Sequence, residues 1–383
     1  MYGACRTRRY KMKWLQNGNL AKLVAFFVIA VVLTCTVSFA ANGWQSFIYN
    51  QPDSDKIMTE NNSANNKVDE NTDGMGELDI PVVQPGQKYF HLITGLETDL
   101  ETAVKRPISI CIDSTSPLYG ISSSYLTIEF PTEYGNTRFL CFTDEATSLG
   151  KIGSLAPSRA YISNLTAYFG GILLSYGYDD KFEYSASAPQ SQLDFKAVSG
   201  YCYTEYNSFV YTNGDLVNAL MNNTSTPQAY QESVKIPYNF HSHGESVVLN
   251  DGKAEVISIN FSSASDTLLS YSYEHGKYFF TKNGSIKKDL LNDKAISYDN
   301  VFILYANATT HETESDTQLI IDTYTSGTGI YATGGKYTEI TWIKDESGNL
   351  TFYNSNGEKL TVSRGTSYIG YVKASSKSSV NVS

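Results

Sequence analysis

Arginine is scarce in the patterned part of this chain, and the positions that keep it are the best candidates for ligand chemistry. After residue 87 the arginines are Arg106, Arg138, Arg159 and Arg364. A planar guanidinium donates two parallel hydrogen bonds to a carboxylate or phosphate, which lysine cannot do. Arg159 also begins a predicted helix, where free backbone N–H groups favour an anion. We therefore expect Arg138, Arg159 and nearby Tyr161 to form a ligand-binding site.

The alternative for these arginines is an internal salt bridge, with Glu129 or Asp113 as the acid. Asp113 itself follows an apolar strand, where functional carboxylates of α/β layers are often found. The same position suits a turn-forming residue that accepts hydrogen bonds from Ser114 or Thr115. Because no base or nucleophile can be named beside Asp113, the turn-forming interpretation is favoured.

No strong catalytic signature is present, since G-x-S-x-G, H-E-x-x-H and paired C-x-x-C are all absent. His241 and His243 alternate so that both rings, and Glu245, would face one side of an extended chain. No third metal ligand is fixed, and the polar context favours an exposed loop. The glycine-rich stretch 327–335 lies between strands, which predicts a hairpin rather than a phosphate loop. We predict no catalytic residue, metal or cofactor.

The cysteines outside the leader are Cys111, Cys141 and Cys202. An odd count argues against a disulfide framework. Cys111 and Cys141 lie in apolar runs that predict core positions, and a disulfide between them stays open because the sequence does not test its geometry. Cys202 is the least implausible nucleophile for a catalytic reading, although no histidine partner can be assigned to it.

Secondary-structure signals divide the chain near residue 227. Before it, strand patterns at 107–113, 125–130, 137–142 and 172–176 alternate with helical patterns at 158–169, capped by Ser158, and at 215–221. After it, short strands recur about every ten residues between turn signals. The expected fold class is α+β, with a mixed α/β N-terminal half followed by a mainly antiparallel β C-terminal half.

The start of the chain predicts export. Residues 23–41 carry no charge, and the 22 residues before them carry six basic residues and no acid. This is the pattern of a segment that enters a membrane with its N-terminus in the cytoplasm. Three fates stay open: a retained anchor, cleavage after Ala40, or lipidation at Cys35.

The chain has 383 residues and a net charge of −10, but residues after 41 hold 23 basic residues against 39 acidic ones. A domain this acidic is not expected to bind nucleic acid by neutralising phosphates. It would also be repelled by an anionic membrane unless a local basic site opposed the trend.

Several short segments follow one another in a characteristic order. In the first half these are Leu92–Leu96, Arg106-Pro107, Gly135–Phe139, Ile152-Gly153 and Arg159–Tyr161. In the second half they are Asn300-Val301, Gly327–Gly329, Gly334–Lys336, Trp342 and Lys344. Together they resemble the YerB-like lipoproteins, a family of envelope proteins of Gram-positive bacteria with a domain of unknown function. The resemblance covers roughly residues 90–373 and implies an anchored envelope protein without a defined reaction, substrate or cofactor.

Two departures from the family pattern bear on function. The pattern resembles I-G-P-V-R-S-x-R, and its first arginine falls here on Ala156. A later segment resembles P-H-N-L-Y-T, whereas residues 207–212 have lost the His and the Asn. A site built from those residues in relatives would therefore be altered or missing here.

These observations predict a membrane-tethered extracytoplasmic protein that binds a wall fragment or an envelope protein without catalysis. The alternatives are a wall-active hydrolase or transpeptidase and a structural spacer in a membrane complex. The expected organisation is a basic leader (1–22), a transmembrane or signal segment (23–41), a disordered acidic tether (42–87), an N-terminal α/β domain (88–227), a C-terminal β domain (228–374) and a disordered tail (375–383).

Overall fold

The computed structural model describes residues 88–178, 192–230, 234–245, 247–312, 317–345 and 350–383. The predicted leader, membrane segment and tether lie outside these residues. None of the described helices combines the length and apolarity needed to cross a bilayer.

Strands dominate both halves of the described chain. They are β1 Tyr89–Phe90, β2 Glu97–Thr98, β3 Ile108–Asp113, β4 Leu126–Pro131, β5 Thr137–Thr143, β6 Ile152–Gly153, β7 Ile172–Ser175, β8 Gln192–Asp194, β9 Tyr203–Thr204, β10 Val210–Thr212, β11 Asn239–Phe240, β12 Gly252–Lys253, β13 Val256–Ser262, β14 Ser265–Ser272, β15 Lys277–Lys282, β16 Ser285–Ile286, β17 Lys288–Asp289, β18 Lys294–Ala295, β19 Ser297–Tyr298, β20 Asn300–Ala306, β21 Ala308–Glu312, β22 Thr317–Ile321, β23 Ser326–Thr333, β24 Lys336–Lys344, β25 Leu350–Tyr353, β26 Thr361–Val362, β27 Ser367–Lys373 and β28 Val380–Val382.

Helices are few and short in the same residues. The α-helices are α1 Leu100–Val104, α2 Ala160–Tyr168 and α3 Gly214–Asn223. Single 3-10 turns occupy Ile121–Ser123, Ala146–Ser148, Tyr206–Ser208 and Ala374–Ser379.

The prediction of a mixed α/β N-terminal half was wrong, because the molecule is mostly β. The first half pairs β3 with β5 and β4 with β5 in antiparallel fashion. A hairpin connects β4 to β5, and the connection from β3 to β4 contains a 3-10 turn rather than an α-helix. Strands β3 and β7 pair in parallel, and α2, which directly precedes β7, is the one α-helix in the connection between them. The alternation of strand and helix signals overstated the helices, since each is too short to cover a sheet face alone.

One eleven-stranded sheet runs through both halves of the chain, in the order β12-β24-β23-β20-β27-β4-β5-β3-β7-β8 with β25 beside β24. The halves join where β27 pairs parallel with β4, as in the contact of Ile369 with Ile128. A second sheet, β16-β15-β14-β13-β28, packs on one face of this central sheet.

Two apolar clusters cover the two faces of the central sheet. Phe139 and Cys141 pack with Ile257, Leu269 and Phe280 of the second sheet on one face. On the other face, residues of β4 and β5 pack with residues of α2, among them Phe130, Leu140, Tyr161, Ile162 and Leu165.

Three local predictions can be compared with the structure. The glycine-rich stretch forms the β23–β24 hairpin, which confirms that prediction, and Gly334 and Gly335 supply positive φ values of 61° and 73° at its turn. Helix α2 begins at Ala160 with Arg159 as its N-cap, so Ser158 is not the cap. Residues 375–383 are not a frayed tail, because β28 pairs with β13.

Candidate anion-binding site

Arg138 occupies the face of β5 that packs on α2. It pairs with Phe130 of β4 and with Asp113 of β3. Residues directly opposite each other in an antiparallel pair share a face, and successive residues alternate. The side chain of Arg138 therefore projects to the face of Phe130, while its neighbour Thr137 projects to the other.

Arg159 is the residue directly before α2, and it lies on the same face of the sheet. Its Nη2 lies 2.7 Å from Oε1 of Glu133, and both side chains are less than a tenth exposed. Glu133 belongs to the turn between β4 and β5, which Gly135 closes with a φ of 80°. The expected internal acid is therefore present, but it is Glu133 rather than Glu129 or Asp113.

Tyr161 lies in the first turn of α2 and is 4% exposed. Burial raises the pKa of its hydroxyl to about 12, and the charges of Arg138 and Arg159 act in the opposite direction. The three residues predicted as a site thus lie within electrostatic reach of one another. We call Arg138, Arg159, Glu133 and Tyr161 the arginine cluster.

Arg138 has an unsatisfied donor within this cluster. Its Nη1 is buried and has no hydrogen-bond partner among the described residues. Buried N–H groups are nearly always paired, and an unpaired one costs roughly 1–3 kcal/mol. An oxygen atom of a bound anion would remove that cost.

The other two arginines have structural roles. Arg106 donates from Nε and Nη2 to the carbonyls of Gly170 and Gly171, each at 2.7 Å. Arg364 donates from Nε to the carbonyl of His241 at 3.0 Å and from Nη1 to that of Gly95. The scarcity of arginine therefore does not by itself indicate a ligand site, because two of the four arginines fix the backbone instead.

Ala156 lies beside the arginine cluster. It is 2% exposed, and its N–H donates to the carbonyl of Cys111 at 2.8 Å. The charges of Arg138 and Arg159 both act on the Cys111 thiol, whose pKa burial raises to about 11. The position at which the family pattern has a further arginine is thus next to this cluster.

Asp113 forms a turn, as the favoured interpretation predicted. Its Oδ1 accepts from the backbone N–H of Thr115 at 2.9 Å and from the Thr115 hydroxyl at 2.7 Å. This side chain is committed to its own turn and does not pair with Arg138 opposite it.

The two histidines of the 241–243 segment contact different acids. Nδ1 of His241 lies 3.2 Å from Glu245, and Nε2 of His243 lies 3.8 Å from Glu97. No group of three or more His, Cys, Asp or Glu side chains within metal-binding reach occurs in the described residues.

The cysteines are all free in the described chain. Cys111 pairs with Leu140 and Ile110 with Cys141, so the two thiols are offset by one residue and point to opposite faces. This offset rules out the disulfide that the sequence left open. Burial raises the pKa of the Cys202 thiol, which disfavours the reactive thiolate.

One histidine contact was not predicted from the sequence. Nε2 of His91 lies 3.0 Å from Asp144, and its Nδ1 accepts the backbone N–H groups of Ile93 and Thr94 at 3.2 and 3.1 Å. These bonds place the proton on Nε2 and leave neither nitrogen free to accept another. A His–Asp pair is a residue combination found in catalytic sites, but here it has a structural role. It holds the segment after β1 to Asp144.

The other missed group surrounds Glu129, which is completely buried. Its Oε1 accepts from Thr137 at 2.5 Å and from Lys282 at 2.6 Å. Its Oε2 accepts from Thr267 at 2.9 Å and from Tyr368 at 2.6 Å. We call these five residues the Glu129 cluster. A glutamate within an otherwise apolar strand was the available signal.

The described residues form a β-rich protein whose two halves share one sheet, and its partly buried Arg138 has a buried Nη1 without a partner among them. Two family models match the chain. Residues 93–228 match the N-terminal domain, and residues 257–369 the C-terminal domain, of the protein of unknown function DUF3048. The chain therefore belongs to this YerB-like family, as the sequence resemblance predicted.

A solved structure has the same fold. The crystal structure of the YerB protein from Bacillus subtilis superimposes with a TM-score of 0.64 at 18% sequence identity. The superposition covers 77% of this chain and 100% of that chain. The search of curated proteins gave no match.

Proposed function

We propose that this protein is a membrane-tethered extracytoplasmic binding protein of the bacterial cell envelope, and that the arginine cluster holds a carboxylate or phosphate of its ligand. The observation that carries the proposal is the buried Nη1 of Arg138, for which the described part of the chain supplies no acceptor. A guanidinium supplies the parallel donors that such anions fit. Wall fragments carry carboxylates, which makes them the preferred ligand class.

The hydroxyl of Tyr161 supports this assignment. The phenol is protonated at neutral pH and can therefore donate a hydrogen bond to an anion. The ion pair of Arg159 with Glu133 holds the second guanidinium in place beside it. The cluster contains no activated nucleophile, and the raised pKa of Cys202 gives no support to the rival hydrolase or transpeptidase.

Calorimetric titration of the full chain with a soluble muropeptide tests the ligand site. Replacing Arg138→Met removes a charge-assisted hydrogen bond worth roughly 1.5–3 kcal/mol, so affinity should fall about 10- to 150-fold. Lys253→Met is the matched control, because this exposed lysine also loses one charge but lies outside the cluster. Equal affinities of both variants and the wild type would remove the site.

The location is tested separately from the ligand. Protease added to intact protoplasts should digest residues 88–383 while cytoplasmic markers survive. Full protection of the chain from external protease, with digestion only after lysis, would contradict an extracytoplasmic position.

A further inference from the structure

The segment of residues 285–294, which runs from β16 through β17 to the start of β18, presents apolar side chains to solvent. Ile286 is 60% exposed, Leu290 is 54% exposed and Leu291 is 39% exposed. Single exposed apolar residues need no explanation, but three within six positions form a patch. We call this segment the lysine tip, for the charges described below.

The backbone of the lysine tip is held firmly by a buried acid. Asp289 is 1% exposed. Its Oδ1 accepts from the N–H groups of Gly120 at 3.0 Å and of Leu291 at 2.9 Å. Its Oδ2 accepts from the N–H of Ser122 at 2.9 Å, and Leu290 donates its own N–H to the carbonyl of Leu118 at 2.9 Å. These bonds fix Leu290 and Leu291 to the body of the protein while their side chains stay outside.

The charge at the tip is opposite to that of the rest of the exported chain. Lys287, Lys288 and Lys294 flank the apolar residues, and Asp293 is the exposed acid among them. Lys288 pairs with Asp293 at 2.9 Å, whereas Lys287 and Lys294 make no ion pair with any described residue. After residue 41 the chain as a whole has 23 basic residues against 39 acidic ones. With Asp289 counted beside Asp293, the tip has three lysines against two aspartates and a net charge of +1, on a protein that is otherwise acidic.

We infer that the lysine tip docks on an anionic phospholipid surface. Apolar side chains enter the boundary between headgroups and acyl chains, and flanking lysines pair with lipid phosphates while their stems lie along the apolar layer. Attraction of lysines to anionic lipid is the charge complementarity that a neutral or basic partner would not supply, and the exposed apolar side chains between the lysines favour a lipid layer over an acidic protein. The inference rests on the proposed membrane tether for proximity, and the docked tip fixes which face of the protein approaches the membrane.

Photocrosslinking of the full chain in vesicles tests the inference. A p-benzoylphenylalanine photocrosslinker replaces Leu291, and lipid adducts are counted by mass spectrometry in phosphatidylglycerol vesicles and in phosphatidylcholine vesicles. The same group in place of Tyr273 is the control, since this residue is 70% exposed in the turn at the other end of β15. Flotation of the vesicles reports the tether independently.

The expected result is a lipid adduct at position 291 in phosphatidylglycerol vesicles, with little in phosphatidylcholine and none at position 273. Adding Lys287→Gln and Lys294→Gln should lower the adduct yield about 25-fold, because each lysine near an anionic surface contributes about fivefold. Flotation without an adduct at 291 overturns the docking and leaves the tether standing. Equal adducts in both lipids, or adducts to protein rather than lipid in native membranes, also overturn it. Absence of flotation contradicts the tether. In that case the untethered protein is mixed with phosphatidylglycerol vesicles, and a lipid adduct at position 291 supports the docking, whereas no adduct overturns it.

Discussion

The Glu129 cluster and the arginine cluster lie on opposite faces of the same two strands. Glu129 and Thr137 project from β4 and β5 toward the second sheet, whereas Phe130 and Arg138, one residue further along each strand, project toward α2. Both clusters contain buried charged side chains, since Glu129 and Lys282 are 0% and 2% exposed and Arg159 is 8% exposed, although Arg138 itself is only partly buried. They differ in whether every polar atom has a partner.

Around Glu129 both carboxylate oxygens accept two hydrogen bonds each, and the donors come from both halves of the chain. Glu129 and Thr137 belong to the first half, whereas Thr267, Lys282 and Tyr368 belong to the second. A buried carboxylate with this complete set of donors is tolerated. Removing either the carboxylate or the ammonium group alone is costly, because the other charge is then buried without a partner. This cluster therefore joins the two halves and leaves no donor or acceptor for a ligand.

Around Arg138 one buried polar atom lacks a hydrogen-bond partner among the described residues. Glu133 partners Arg159, but the buried Nη1 of Arg138 has no acceptor in the part of the chain that the structure describes. Burial and charge alone therefore do not separate a structural cluster from a binding site. Under the proposed function the two faces of β5 have different roles, stability on one and ligand binding on the other.

The largest expected effect follows from breaking the Glu129 cluster. Replacing Lys282→Met leaves Glu129 as an uncompensated buried charge, so the free energy of unfolding should fall by about 3–5 kcal/mol. Urea titration followed by circular dichroism measures the loss.

A double variant serves as the control for this loss. Glu129→Gln combined with Lys282→Met removes both charges and should recover much of the stability lost in Lys282→Met, because no buried charge is then left unpaired. If Lys282→Met is as stable as the wild type, the cluster does not join the halves and the comparison fails.

Part of this arrangement was open to prediction from the sequence. The period of two in residues 126–130 and 137–142 identifies which residues share a face once the strands are paired. The grouping of Arg138 with Arg159 and Tyr161 came instead from the scarcity of arginine and the helix predicted after Arg159, and the structure brings the three within electrostatic reach. The partner of Arg159 was not predictable, since Glu133 lies in a turn whose geometry depends on Gly135.

The rest depended on long-range pairing that no local pattern specifies. Lys282 and Tyr368 reach Glu129 from 153 and 239 residues away in the chain. The parallel contact of β27 with β4 that brings Tyr368 there also makes the two halves share one sheet. Sequence patterns after residue 227 indicated strands, but they did not show that those strands continue the sheet of the first half.

Alkaline pH should lower the contribution of Tyr161 to the free energy of unfolding, by less than the loss expected for Lys282→Met. The pKa of Tyr161 is raised to about 12 in the folded state, above about 10 in an unfolded chain. The folded state then binds more protons between these values, so this contribution to stability is present below pH 10 and is lost as pH rises toward 12.

The difference in unfolding free energy between the wild type and Tyr161→Phe isolates this residue, because the other tyrosines cancel. Between pH 8 and pH 11 that difference should shift by about 1 kcal/mol in favour of Tyr161→Phe. Urea titrations of both proteins at the two pH values give the shift. A difference that does not change with pH would mean that Tyr161 is not buried beside the arginines as described.

The smallest expected effect is the stability change at Arg138 itself. Arg138→Met keeps an apolar stem in the same space and removes a buried donor that has no acceptor, so the free energy of unfolding should stay within about 1 kcal/mol of the wild type. Arg159→Met is the matched variant, and it should be less stable because it takes the guanidinium away from buried Glu133. A loss at Arg138 as large as the one at Lys282 would show that its guanidinium holds the fold together. In that case the two faces of β5 would have the same role, and the ligand site would have to lie elsewhere.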